Sequence, residues 1–202
     1  YGANNPVNNI DVNGDSVWYT RNGDIVTMHV TAKIFNNSSD NINMARAAKD
    51  IVSDIKSTYE GKFEWSDNKT YNLKVDMDLK VATSMKDVEN SDHLFVLADS
   101  DSKGARGATS MLGGKVMTLA SSDFANNNWL SNNLSYNKTF TAAHEFGHAI
   151  GLSHSQNPFN IMKQGGVVHN SNSNQRVIML QQQNNLNNNL VVDIYNLGLK
   201  WR

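Results

Sequence analysis

The stretch His144, Glu145, Phe146, Gly147, His148, Ala149, Ile150, Gly151, Leu152, Ser153, His154 decides the reading of the whole chain. Apolar Phe140, Ala143, Phe146, Ala149 and Ile150 share one face, which predicts a helix from Thr139 or Thr141 to about Ile150. On such a helix His144 and His148 stand one turn apart and project from the same side, where both imidazoles can reach one ion at about 2.0–2.1 Å. Glu145 is rotated about a quarter turn from them, placed to hold a water beside that ion without displacing an imidazole. Gly151 sits where a left-handed C-cap belongs. Its freedom to take φ > 0 ends the helix abruptly and turns the chain so that His154 approaches from another direction. Three neutral imidazoles with one position left open are the donor set of a catalytic zinc site, as distinct from a closed structural one.

Working outward, Lys115 to Leu119 is a short strand candidate, with Val116 and Thr118 facing one way and Met117 the other. A stretch rich in Gly, Ser and Asp precedes it, from Asp99 to Gly114. Residues 93–98 are almost wholly apolar, as suits a central strand covered on both faces. Residues 70–84 alternate through Tyr71, Leu73, Val75, Met77, Leu79 and Val81. From Asn41 to about Glu60, the residues Ile42, Met44, Ala45, Ala48, Ile51, Val52 and Ile55 recur at the spacing of an amphipathic helix, with Gly61 as its stop. Residues 15–36 alternate as two strands. Val17, Tyr19, Ile25, Thr27, His29 and Thr31 are assigned to one side and Val26, Met28, Val30 and Ala32 to the other, while Asn22 and Gly23 predict a type I′ turn between them. Residues 121–137 read as polar loop, and a last helix starts near Ser173, carries Val177, Ile178 and Leu180, and fades into the Asn-rich stretch 184–189. This order predicts an α/β (α+β) sandwich built on a mixed sheet.

At 202 residues the chain makes one domain, or one with a small appendage. With 18 Lys and Arg against 19 Asp and Glu, the formal net charge is -1, and no basic run offsets it locally, which speaks against nucleic acid or a polybasic membrane patch as partner. The longest apolar run, Leu94 to Ala98, is far short of the roughly 20 residues of a membrane-spanning helix. The absence of cysteine excludes disulfides, thiolate ligands and a cysteine nucleophile, so a metal must sit on His and carboxylates. No G-x-S-x-G lies between a strand and a helix pattern, so serine-type catalysis has no support. The chain opens on Tyr1 with neither an initiator Met nor an apolar signal segment, and reads as a piece of something longer.

The string from His144 to Ser155 resembles the active-site helix of the metzincin zinc endopeptidases, and among them the matrixins, which carry a serine directly after the third histidine. Members of the clan also have a methionine turn downstream. Met162, eight residues after His154 and preceded by Asn160 and Ile161, fits that turn. The resemblance implies a mixed twisted sheet with a backing helix, an active-site helix and a C-terminal helix. It implies one catalytic Zn2+ on His144, His148 and His154, Glu145 as the proton carrier of peptide-bond hydrolysis, and a polypeptide substrate. It further implies that Lys115, Val116, Met117, Thr118 and Leu119 form an edge strand that binds extended substrate as an additional strand, with Gly104, Gly107, Gly113 and Gly114 in the irregular loop before it.

The sequence also departs from the matrixin pattern. Only His93 lies where the structural zinc site of the family would need further His and Asp ligands, so no second zinc is expected. Asp99, Asp101 and Gly104 resemble the start of a calcium loop, but Ser110 stands where the bidentate Glu belongs; Ca2+ is kept as a candidate second cation. Lys163 follows the methionine where some metzincins place a tyrosine. His29 and His169 read as an ordinary strand residue and an ordinary loop residue.

Residues 5–14, from Asn5 and Pro6 through Asp11 to Gly14, resemble the P-x-x-x-x-D-P-x-G junction that closes the core of Rhs-type polymorphic toxins, with Val12 in place of the second proline. That resemblance implies residues 1–14 as a linker or the end of an upstream core, and residues 15–202 as the peptidase domain, with an upper part 15–151 and a lower part 152–202. It implies a protein secreted or delivered into a target cell as a toxin effector, with an immunity or inhibitor protein as partner. A general secreted digestive protease is the alternative. A catalytically silent binding module on the same scaffold is a third reading, disfavoured by the retention of Glu145 and all three histidines.

Overall fold

The computed structural model describes residues 16–99, 107–125, 135–164 and 171–182. The toxin-like junction, Asp101 and Gly104 of the calcium motif, His169 and the Asn-rich tail lie outside them. The elements run β1 (Val17–Asn22), β2 (Ile25–Asn36), α1 (Met44–Tyr59), β3 (Gly61–Glu64), β4 (Thr70–Ala82), β5 (His93–Ala98), β6 (Gly107–Thr109), β7 (Val116–Ala120), α2 (Ser135–Ala149) and α3 (Ser173–Gln182). The seven strands among the described residues join one sheet in the order β3-β4-β2-β5-β7-β6, with β1 also paired to β2. β2 runs parallel to β4 and β5, and β5 parallel to β7; β1, β3 and β6 are antiparallel to their neighbours. The result is the expected α/β arrangement on a mixed sheet. Among the described residues no helix is long and apolar enough to cross a membrane.

The 12 residues of β2 organise this sheet. One of its sides pairs with β4 over almost its full length, while the other pairs first with β1 and then, from Ala32 onward, with β5. β5 is buried on both faces, as its uninterrupted apolar run requires. Phe95 and Leu97 enter the main core with Ile34, Ile51, Ile55, Phe146 and Met162, whereas Leu94 and Val96 pack on the opposite face with Met85 and Val116.

Several expectations are corrected. The hairpin turns at Gly23 and Asp24, with Asn22 paired to Ile25, and a positive φ (59°) occurs at Gly23 alone, the pattern of a II′ turn instead of I′. A two-residue turn pairs odd positions of β1 with even positions of β2, so Val17 and Tyr19 lie opposite Val30 and Met28, on the buried face and not with Thr27 and His29. Helix α1 begins at Met44 because Asn43 caps it, its Oδ1 accepting from the Arg46 N–H at 3.0 Å, while Ile42 bridges to Ala125. Helix α2 is already formed at Ser135, within the stretch read as loop. Among the described side chains of α3, Gln175, Arg176 and Met179 are buried, Val177 packs against the core as a partly buried residue and Ile178 is exposed, while the Leu180 side chain lies outside those described.

The strand expected at the edge is also corrected. β7 pairs with β5 on one side and β6 on the other, so among the described residues the edge position passes to β6, within the stretch taken as irregular loop. Val116, Met117 and Leu119 have buried side chains, and the buried Lys115 donates from Nζ to the Asn90 carbonyl at 3.0 Å. These residues build the sheet beneath the edge.

Candidate active site

Helix α2 ends as its sequence predicts. Gly151 takes φ 92°, its N–H donates to the His148 carbonyl at 3.0 Å and the Leu152 N–H to the Gly147 carbonyl at 2.8 Å. This pair of bonds is a Schellman motif, which satisfies the last carbonyls while reversing the chain. The reversal brings His154 back beside the helix. His148 Nε2 lies 3.2 Å from His144 Nε2 and 3.1 Å from His154 Nε2, and one ligand atom from each ring falls within 4.8 Å of the others. Two nitrogens held about 2.05 Å from a tetrahedral ion stand about 3.3 Å apart, so the spacing fits a metal of zinc's size.

The remaining ring nitrogens explain the orientation. His144 Nδ1 donates to the Ile161 carbonyl and His148 Nδ1 to the Leu152 carbonyl, each at 2.7 Å. Burial holds both imidazoles below their ordinary pKa, hence neutral, so each has one ring proton and spends it on a carbonyl. Their Nε2 lone pairs then face one another with no proton between them, an arrangement that a cation stabilises.

Glu145 is almost fully buried beside this group. Burial raises its carboxyl above the ordinary range, opposed first by the Thr109 hydroxyl and then by His148 and His154. β6 crosses α2 at this residue. A Cβ on Gly107 would lie 2.5 Å from Thr141 Cγ2 and 2.9 Å from Glu145 Cγ, so only glycine allows the strand to approach so closely. Thr109, two residues on, places Oγ1 at 2.7 Å from Glu145 Oε2.

Met162 lies fully buried in a turn closed by the Lys163 N–H on the Asn160 carbonyl at 3.0 Å. Its sulfur rests against Gly147, whose missing Cβ leaves the space, and faces the Tyr59 hydroxyl, which donates to the Ala143 carbonyl at 2.7 Å. The turn is tied to α3 by a reciprocal amide pair: Asn160 Nδ2 donates to Gln175 Oε1 at 2.7 Å, and Gln175 Nε2 to Asn160 Oδ1 at 2.8 Å. Asn160 Oδ1 also accepts from the Met162 N–H at 2.9 Å.

The structure thus brings together His144, His148, His154, Glu145 and Met162. Lys115 to Leu119 stand one strand away, and Thr109 and Gly107 take the place beside Glu145. His93, the sole histidine ahead of β7 in that region, is a core residue, hydrogen-bonded to Ser16 and set edge-on to Phe146. Thr109 and Gln175 carry no signal in the sequence, and Gly107 and Asn160 stand out there only as part of the loop before the strand and of the methionine turn, without their contacts to Glu145 and Gln175. Tyr59 alone had a periodic cue, one turn after Ile55 on the apolar face of α1.

A mixed sheet backed by helices, with two histidines and a buried glutamate on one of them and a third histidine after its end, is a metzincin-like fold and site. The family model for the matrixins, Peptidase M10, matches residues 18–185, and the chain belongs to that family. Among solved structures, metalloproteinase-II from Bacteroides fragilis is similar at 15% identity and a TM-score of 0.42, covering 75% of this chain and 52% of that one. This chain therefore spans about half the length of that protein. Archaemetzincin from Methanopyrus kandleri is similar at 15% identity and a TM-score of 0.39, covering 83% of this chain and 96% of that one. No curated protein matches the chain.

Proposed function

We propose that the chain is a zinc-dependent endopeptidase that cleaves extended polypeptides at the His144, His148 and His154 centre. The observation that carries this reading is the mutual approach of the three imidazoles, two with Nδ1 held on a backbone carbonyl, beside a buried carboxylate. Zinc, when bound, supplies Lewis-acid polarisation to the scissile carbonyl and the attacking water. Glu145 takes a proton from that water on Oε1 as the water oxygen bonds to the carbonyl carbon, and returns it to the amide nitrogen as the C–N bond breaks. Substrate lies along β6, which among the described residues is paired with another strand on one side only, so an added strand can pair along its other side.

Glu145→Gln should retain one zinc per chain by elemental analysis and lose at least about 100-fold in turnover of a proteome-derived peptide library, the scale of a removed proton carrier. Replacing any one histidine by Ala should lower both. Near-native cleavage by Glu145→Gln rules the mechanism out. Secretion or delivery into a target cell, and an immunity protein as partner, are supported by the likeness of residues 5–14 alone. Expression inside a bacterial cell separates an effector from a digestive enzyme: the former is toxic while most cellular proteins stay intact, and the latter degrades casein at many sites.

A further inference from the structure

Glu145 presents a physical problem that its own helix does not solve. A carboxyl group buried to this degree needs a fixed partner, and a proton carrier must not swing away when its charge changes. The structure supplies the partner from β6. Gly107 and Thr109 point to the same side of that strand, as positions i and i+2 must, and both meet Glu145. Gly107 leaves room for the side chain to pass, and a Cβ there would come within 3.0 Å of Oε1. Thr109 closes on Oε2 at 2.7 Å, with the Glu145 backbone carbonyl 3.0 Å from the same hydroxyl. The ladder partner of Thr109 is Met117, a fully buried residue, so the hydroxyl is delivered from a firm base.

Resting on the peptidase reading above, we propose that Thr109 is a positioning residue for hydrolysis, its hydroxyl anchoring Glu145 Oε2 so that Oε1 alone exchanges the proton. A threonine hydroxyl has one proton to give. Oε2 accepts it when the carboxylate is ionised, and still accepts it, as the carbonyl oxygen of the acid, once Oε1 carries the proton taken from water. The side chain therefore holds one orientation through the cycle. Proton return to the leaving nitrogen needs no rotation of the carboxyl group.

The test compares Thr109→Val, which keeps the branched shape and removes the hydroxyl, with Thr109→Ser, which keeps the hydroxyl. The substrate is a synthetic peptide bearing a quenched fluorophore, chosen from the products of a wild-type digest of a proteome-derived library. Thr109→Val should lower kcat by about 10- to 100-fold, the worth of one hydrogen bond to a charged group, with KM within about twofold. Zinc affinity by chelator competition should stay within about twofold too, because both hydrogen-bond partners of the hydroxyl belong to Glu145 and neither is a histidine, and Thr109→Ser should restore kcat to within about threefold of wild type. If Thr109→Val does not fold, Thr109→Ala against Thr109→Ser carries the same comparison. The inference is overturned by a Val variant with wild-type kcat, by a Ser variant as slow as the Val variant, or by a rise in KM with kcat unchanged. Failure of the peptidase reading shows differently: wild type and Glu145→Gln then leave the library equally intact.

Discussion

At the scale of single residues, the site is assembled by what two glycines leave out. Gly147 lies inside α2, where alanine is ordinarily the better helix former by about 1 kcal/mol. Here a methyl group would enter the space of the Met162 sulfur and stand 2.5 Å from the Tyr59 hydroxyl. Overpacking of that kind costs about 1–3 kcal/mol and exceeds the propensity gain. Gly147→Ala should therefore lower the urea midpoint and weaken zinc binding together, because the methionine turn carries the Ile161 carbonyl that orients His144. An unchanged midpoint would show that the turn can yield. The cap at Gly151 was readable in the sequence because its cause is local: the last helical residue, then glycine, then the third histidine. Gly107 and Thr109 were not, because their meaning depends on a helix 36 residues further along the chain.

At the scale of elements, α3 is joined to the rest by several polar contacts beside the buried Met179. Arg176 donates from Nε to the Tyr59 carbonyl at 2.9 Å, from Nη2 to Glu60 at 3.0 Å and from Nη1 to Lys62 at 3.1 Å, and so closes the end of α1 and the start of β3. Gly61, at φ 145°, lies under the guanidinium, where a Cβ would be 2.8 Å from Nη2. Arg176→Met removes all three donors and should cost about 2–4 kcal/mol, lowering the thermal midpoint by roughly 5–15 °C in a chain of this size. Arg176→Lys should recover little, since one ammonium cannot span three carbonyls. Long elements were legible: β4, β5 and α1 follow the expected periodicity to within a few residues. β3 and β6, at 4 and 3 residues, are too short to show a period. The edge was misplaced for the same reason, since strand order is a property of pairing across the chain and leaves no mark on a five-residue pattern.

At the scale of the whole molecule, stability should depend on pH through the buried His93. Burial lowers its pKa from 6.5 to about 3, so the ring is neutral in the folded protein and takes up a proton on unfolding below pH 6.5. The folded pKa lies below the unfolded one, so the contribution of this residue is complete above about pH 6.5 and is lost as the pH falls toward 3, at up to about 1.4 kcal/mol per pH unit. Urea midpoints between pH 7 and 4 should fall less steeply for His93→Gln than for wild type, and parallel slopes would refute the assignment. His144 and His148 shift in the same direction, so the difference between the two slopes is the informative quantity. The histidine triad owes its alignment to carbonyls at Leu152 and Ile161, both beyond the helix that carries the first two rings. The loop between them, through the 73% exposed Phe159, is therefore the weak link of the site. One nick there would detach the third imidazole from the carbonyl that steers the first, and dismantle the site while leaving nearly all of the sheet standing.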